Sequence, residues 1–170
     1  MPGFIAIVLA CVALLHGSDG TEAQLLPKGF IAGKVVVHKQ RRILQLMKGT
    51  DTVKTYRIAL GKNSVGPKTR EGDGRTPEGV YKIDWRNPKS AFHRSLHISY
   101  PNSSDVTRAR RLGVSPGGMI MIHGLTNGLG WIGKQHLLSD WTDGCIAVTS
   151  EEIEELWDCI PDGTTIVLLP

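Results

Sequence analysis

The sequence predicts a mainly β domain with minor α content, and three observations carry that prediction. Short apolar or alternating runs recur between tight turns. One long segment, Gly61 to Gly79, holds five Gly and two Pro and breaks the runs as a loop. One segment near the C-terminus has helical spacing behind a capping signal.

The elements follow in order. Lys34 to Lys39 contains Val35-Val36-Val37, a β-branched run that favours a strand. Arg42 to Lys48 alternates as a second strand, Gly49-Thr50-Asp51 is a turn, and Lys54 to Leu60 alternates again. Three short strands with tight turns predict an antiparallel meander. The glycine-rich loop is long enough to be functional. Its tail, Gly72-Asp73-Gly74-Arg75-Thr76-Pro77-Glu78-Gly79, runs into a strand over Val80 to Ile83. Ser95 to Tyr100 is a further strand by alternation, and Met119 to Ile122 is a continuous apolar run expected to be central. Thr149 with Glu152 three residues on fits a capping box, and Ile153, Leu156 and Trp157 share one helical face. Pro161-Asp162-Gly163 stops that helix before a last buried strand, Thr165 to Leu169.

A chain of 170 residues is one domain with a short extra segment, large enough to bury a core without disulfide staples. A hydrophobic content of 41% with 21% charge excludes a low-complexity or disordered chain. The extra segment is N-terminal. Phe4 to Leu15 carries no charge, is too short to span a bilayer, and suits the apolar core of a secretory signal. Small residues at Thr21 and Ala23 place the cleavage after Ala23. The expected organisation is a signal peptide over 1–23, a short linker over 24–33 and a catalytic domain over 34–170. Cleavage removes two acidic residues, Asp19 and Glu22, and no basic one, so the net charge rises by two from +4 to +6. A basic surface favours an anionic polymer. The basic residues are scattered and match no recognition motif, which argues against nucleic acid. The mature chain keeps Cys145 and Cys159. Cys159, in Leu156-Trp157-Asp158-Cys159-Ile160, reads as a core thiol at a helix end, and Cys145 as free.

The chemistry concentrates between residues 119 and 148. His123-Gly124 follows the apolar run Met119 to Ile122, and Cys145 stands 22 residues after the His in Thr142-Asp143-Gly144-Cys145-Ile146. A thiol attacks as thiolate, and an imidazole in reach can take its proton and return it. Gly144 lets the backbone approach a substrate closely. The N–H groups of Gly144 and Cys145 are candidates for meeting an oxyanion. Spacing alone leaves open that Cys145 is merely a small buried apolar residue.

Two motifs in order go further. Ile122-His123-Gly124 with Thr142-Asp143-Gly144-Cys145-Ile146, preceded by Ala59-Leu60-Gly61-Lys62 and Arg75-Thr76-Pro77-Glu78-Gly79-Val80-Tyr81, resembles the L,D-transpeptidase catalytic domain of the YkuD type. The likeness runs from about Lys34 to Leu169. It implies the β-sandwich or barrel-like sheet of that family with one or two short helices. It implies Cys145 as nucleophile, His123 as its base and Gly124 as the residue whose carbonyl orients the ring. Gly144 and Cys145 then supply the oxyanion hole, and Thr142 braces the turn. The chain departs from the common pattern at Asp143, where many members have His, and at Ala147, where they have Arg or Asn.

The reaction so implied is acyl transfer on peptidoglycan tetrapeptide stems, which serve as donor and acceptor. A Cys145 thioester forms after the third residue with loss of D-alanine, and an amine resolves it into a 3→3 cross-link. Water as acceptor makes the enzyme an amide hydrolase or carboxypeptidase. An amine of an outer-membrane lipoprotein makes it an anchoring enzyme. A non-catalytic wall-binding module is the reading from another class, and the intact His123 and Cys145 argue against it. The expected place is outside the inner membrane, in the periplasm or cell wall, with a role in wall biogenesis and cell shape. Arg70, Arg75 and Lys68 are candidates for holding a stem carboxylate, with solvated loop charge as the alternative. Trp131 and Trp141 lie on the stretch between His123 and Thr142, which reads as a lid or specificity insertion. His93 and His97 read as surface or packing residues. His136 and Asp140 with His123 fit no metal-ligand spacing, so neither metal nor cofactor is expected. The sequence gives no oligomeric state.

Overall fold

A computed structural model describes residues 26–170. The expected signal peptide and its cleavage after Ala23 lie outside the described residues. Eight strands form one sheet: β1 (Lys34–His38), β2 (Ile43–Lys48), β3 (Asp51–Arg57), β4 (Gly79–Ser90), β5 (His93–Ile98), β6 (Met121–His123), β7 (Ile146–Ala147) and β8 (Thr165–Leu169). Their order is β3-β2-β1-β8-β4-β5-β6-β7. The predicted meander β1-β2-β3 is antiparallel. The C-terminal β8 inserts between β1 and β4, parallel to the first and antiparallel to the second.

The sheet curls until its ends meet. Ala59, just past β3, exchanges both backbone hydrogen bonds with Ala147 of β7, at 3.0 and 2.8 Å, and Gly61 bridges Thr142. Register shifts in β4 mark where that long strand bends. The architecture is therefore mainly β and barrel-like, as expected. The apolar run at Met119 to Ile122 is a correction. Only Met121–His123 is strand, and it stands second from one end of the order rather than at the centre. It is apolar because the curled sheet and the C-terminal helix cover it.

Three helical segments complete the fold among the described residues, two of which the sequence pattern gave no sign of. The helix α1 (Ser103–Arg111) is capped by Asn102 and Asp105 and buries only Asp105 and Ala109. A 3-10 segment covers Gly130–Leu138. The helix α2 (Ser150–Cys159) begins at the predicted capping box: Thr149 Oγ1 accepts from the Glu152 N–H at 3.2 Å, and Glu152 accepts from the Thr149 N–H at 2.9 Å. Such a cap contributes about 1 kcal/mol. Ile153, Leu156 and Cys159 are buried on its inner face, so Cys159 is a core thiol. Each fully buried Ile or Leu contributes about 1.5–3 kcal/mol. The stretch expected as a linker, 24–33, adds Phe30 and Ala32 to the core.

Candidate active site

The turn that carries Cys145 is fixed from three sides. Within it, the Thr142 hydroxyl donates to the Cys145 carbonyl at 2.8 Å and accepts from the Gly144 N–H at 3.1 Å. Beneath it, the chain leaving β3 pairs with it: the Lys62 N–H reaches the Thr142 carbonyl at 2.9 Å, and the Thr142 N–H reaches the Leu60 carbonyl at 3.1 Å. Beside it runs the tail of the glycine-rich loop. A Cβ on Gly144 would stand 2.6 Å from the Arg75 carbonyl, and Gly144 has φ +130°, so only glycine fits. The Gly61 N–H donates to Thr76 Oγ1 at 3.3 Å. The upstream and downstream motifs are thus two halves of one packed turn.

His123 lies opposite Ala147 in the parallel pair β6–β7, with Ile122 opposite Ile146. One step back along that register, Cys145 lies beside Met121. Side chains alternate along strands, so His123 and Cys145 share a face, while Ile122 and Ile146 point to the core. Gly124 accepts a 2.7 Å hydrogen bond from His123 Nδ1 through its carbonyl. A carbonyl only accepts, so Nδ1 carries the proton and Nε2 is the free acceptor. A Cβ on Gly124 would stand 2.9 Å from the Ile153 side chain and 3.2 Å from the Phe92 carbonyl, so glycine is required here for packing. Phe92 and Trp141 flank the imidazole at ring-centroid distances of 4.5 and 5.6 Å.

Burial sets the protonation of both groups. It lowers the His123 pKa to about 4, and it raises that of the Cys145 thiol. At neutral pH the pair is a thiol and a neutral imidazole. The thiol donates to the Met119 carbonyl at 3.5 Å, and Sγ accepts from the Met121 N–H at 3.4 Å. Met119 itself is exposed and has φ +56°, an unusual value for a side-chain-bearing residue.

Cys145 opens onto a groove of about 410 Å³ lined also by Lys68, Glu71, Met119 and Asp143. Asp143 is exposed and pairs with Lys62 at 2.9 Å. Lys68, a sequence candidate for holding a stem carboxylate or else solvated loop charge, is only 3% exposed and pairs with Asp73 at 2.8 Å. Arg70 and Arg75 line a neighbouring hollow with Asn63 and Leu112 rather than this groove. Trp131 is 77% exposed on the 3-10 segment and does not line the Cys145 groove. Gly144, expected with Cys145 to meet an oxyanion, stands within the bonded turn. Its N–H is engaged by Thr142, which leaves the Cys145 N–H as the candidate oxyanion donor of the two. Asp140, considered with His123 and His136 for a metal, instead accepts from Arg42 at 2.8 and 3.1 Å and from the Leu60 N–H at 3.0 Å.

Two supports were missed in the sequence. Lys39 is 1% exposed and donates to the Gly66 carbonyl at 2.6 Å, the Thr76 carbonyl at 2.9 Å and Glu78 at 2.8 Å, lashing the loop to β1. Asp73 gathers Lys68 and the N–H groups of Thr69, Arg70 and Arg75 at 2.8 to 3.2 Å. Burial raises its pKa, but these donors outweigh it and hold the carboxyl at about 2. An Asp between two glycines, Gly72-Asp73-Gly74, was the only available signal.

The model of the L,D-transpeptidase catalytic domain, YkuD type, matches residues 32–168. The Escherichia coli K12 protein YafK, provisionally named an L,D-transpeptidase, is 28% identical over 109 residues, which is 62% of this chain and 36% of that protein. The chain thus spans little more than a third of the curated relatives it matches. Among solved structures, the helical cell shape determining protein Pgp2 of Campylobacter jejuni superposes with a TM-score of 0.61 at 24% identity, covering 79% of this chain and 46% of that one. The L,D-transpeptidase of Xylanimonas cellulosilytica gives 0.52 at 18% identity, over 84% and 63%. At these identities the superpositions speak for the fold.

Proposed function

The chain belongs to the L,D-transpeptidase catalytic domain family, and from that premise we propose that it is an exported cysteine acyltransferase of peptidoglycan stem peptides. The observation that carries this reading is the Nδ1 bond from His123 to the Gly124 carbonyl, which leaves Nε2 unprotonated on the face shared with Cys145.

In the first step the thiol proton leaves the Met119 carbonyl for His123 Nε2 as Sγ bonds to the carbonyl carbon after the third stem residue. The Cys145 N–H receives the oxyanion. The C–N bond to the terminal D-alanine then breaks, and His123 returns the proton to the departing amine. In the second step the amine of another stem gives its proton to His123 and attacks the thioester. The C–S bond breaks, and the proton returns to sulfur. Both groups are neutral at rest, so the proton reaches His123 only as Sγ bonds to carbon. Ala147 is fully buried, and its backbone pairs with Ala59, so it offers the acceptor no polar side chain.

Incubation of the protein with a disaccharide tetrapeptide, followed by mass spectrometry, tests the reading. A cross-linked dimer is the expected product. Loss of D-alanine without a dimer moves the assignment to hydrolysis, and no product sinks both. Cys145→Ala should lower the initial rate by at least about 10³-fold; a variant within tenfold of wild type removes Cys145 as nucleophile.

A further inference from the structure

The acyl-transfer scheme assigns partners to the thiol and the oxyanion and none to the attacking amine. Ala147 is fully buried and gives that amine no polar side chain. Asp143 is better placed. It precedes Cys145 by two residues and lines the same groove of about 410 Å³. Its side chain is 87% exposed. Burial raises the Cys145 pKa, and the negative charge of Asp143 adds to that rise, so the carboxylate is felt at the sulfur.

The charges lining the groove are unequal. Lys68, the cation on its wall, is 3% exposed and committed to Asp73 at 2.8 Å. Glu71, also on its wall, accepts from the Ser115 hydroxyl at 2.9 Å, a neutral partner. Asp143 is paired with Lys62 at 2.9 Å, but Lys62 is itself 61% exposed. A pair so open to water contributes little and exchanges readily for a cation from solution. Charged clefts gather ligands of opposite sign. An aliphatic amine, with an ordinary pKa close to the ~10.4 of Lys, arrives at neutral pH as an ammonium.

We propose that Asp143 is a specificity-determining residue of the second step: its carboxylate exchanges Lys62 for the ammonium of the acceptor, and so favours an amine over water in resolving the thioester. This role rests on the acyl-transfer reading. The ammonium releases one proton to water before its nitrogen bonds to the thioester carbon. Its second proton passes through His123 to sulfur as the C–S bond breaks. Asp143 therefore acts on the arrival of the acceptor and not on bond making. Lys62, by competing for the same carboxylate, sets how strongly it does so.

The test follows how one acyl-enzyme divides between amine and water, a ratio independent of how fast that acyl-enzyme forms. The full chain is incubated with the disaccharide tetrapeptide, and the ratio of cross-linked dimer to free tripeptide is read by mass spectrometry. Asp143→Asn should lower that ratio at least about fivefold. With added hydroxylamine, an amine that is neutral at pH 7.5, the ratio of hydroxamate to tripeptide should stay within about twofold of wild type. Lys62→Met, which frees the carboxylate, should raise the dimer ratio. Salt at 1 M, where the screening length is ~3 Å, should bring wild type toward Asp143→Asn. An unchanged dimer ratio in Asp143→Asn overturns the proposal. So does an equal fall with both amines, which marks a merely structural role. If intact-mass measurement of wild type with the tetrapeptide shows no acyl-enzyme, the acyl-transfer reading fails and takes the proposal with it. An acyl-enzyme whose partition ignores Asp143 removes the proposal alone.

Discussion

On the glycine-rich-loop side of the Cys145 groove, buried polar side chains are paired; between His123 and the cysteine turn, two buried rings are not. Lys39 and Asp73 each hold several partners, and the buried Lys68 is paired with Asp73. The opposite segment leaves His136 and Trp141 unpartnered and exposes Trp131 at 77% and Leu138 at 89%. It is 3-10 helix interrupted at Gly133, which has φ +46°. The difference separates two tasks. A turn that aims a thiol needs its backbone held within fractions of an ångström. A segment that carries neither reacting group puts no such demand on its backbone.

The largest way to break this contrast is Asp73→Ala. It strands the buried Lys68 ammonium and frees three loop N–H groups, a loss of about 3–5 kcal/mol in urea unfolding. Because the Arg75 carbonyl lies against Gly144, turnover should fall along with stability. A variant with wild-type unfolding shows that the loop side is not what holds the turn.

The two sides also titrate apart. The His123 pKa of about 4 lies below its ordinary 6.5 because burial disfavours the cation. Between those values the unfolded chain binds a proton that the native chain refuses. Stability therefore falls as pH drops from 6.5 to 4, by on the order of 3 kcal/mol, and His123 adds nothing above 6.5. Asp73, held at about 2 against an ordinary 3.8, stabilises the fold above 3.8 and loses that contribution as pH falls through 2. Urea midpoints at pH 7, 4 and 2.5 should show two separate descents. A flat profile from pH 7 to 4 refutes the neutral buried imidazole. The acid limb of kcat/KM should likewise lie far below 6.5.

Legibility in the sequence follows the same division. The alternation of Arg42 to Lys48, the Thr149 and Glu152 cap and the glycine-tightened turn at Cys145 are local patterns, and they appear in the structure where the sequence puts them. The helix α1 buries too little to print a periodic stripe. Lys39 reads as surface charge because its acceptors Gly66, Thr76 and Glu78 lie 27 to 39 residues away. His136 is buried only because Trp141 and the 3-10 segment pack around it. Charge burial and ligand pockets are products of tertiary contact, so no window of sequence displays them.

The smallest expected effect sharpens the contrast from the other side. Trp131 is 77% exposed, so its removal takes little apolar area out of the core. Trp131→Ala should leave urea unfolding within about 0.5 kcal/mol of wild type, as for surface positions generally. An exposed indole still offers a large rigid face to a bulky substrate. If the segment receives substrate, KM for the disaccharide tetrapeptide should rise several-fold while kcat holds. A fall in kcat at constant KM would place Trp131 with the packed turn instead. No change in either would show that the exposed face of the segment contributes nothing to binding.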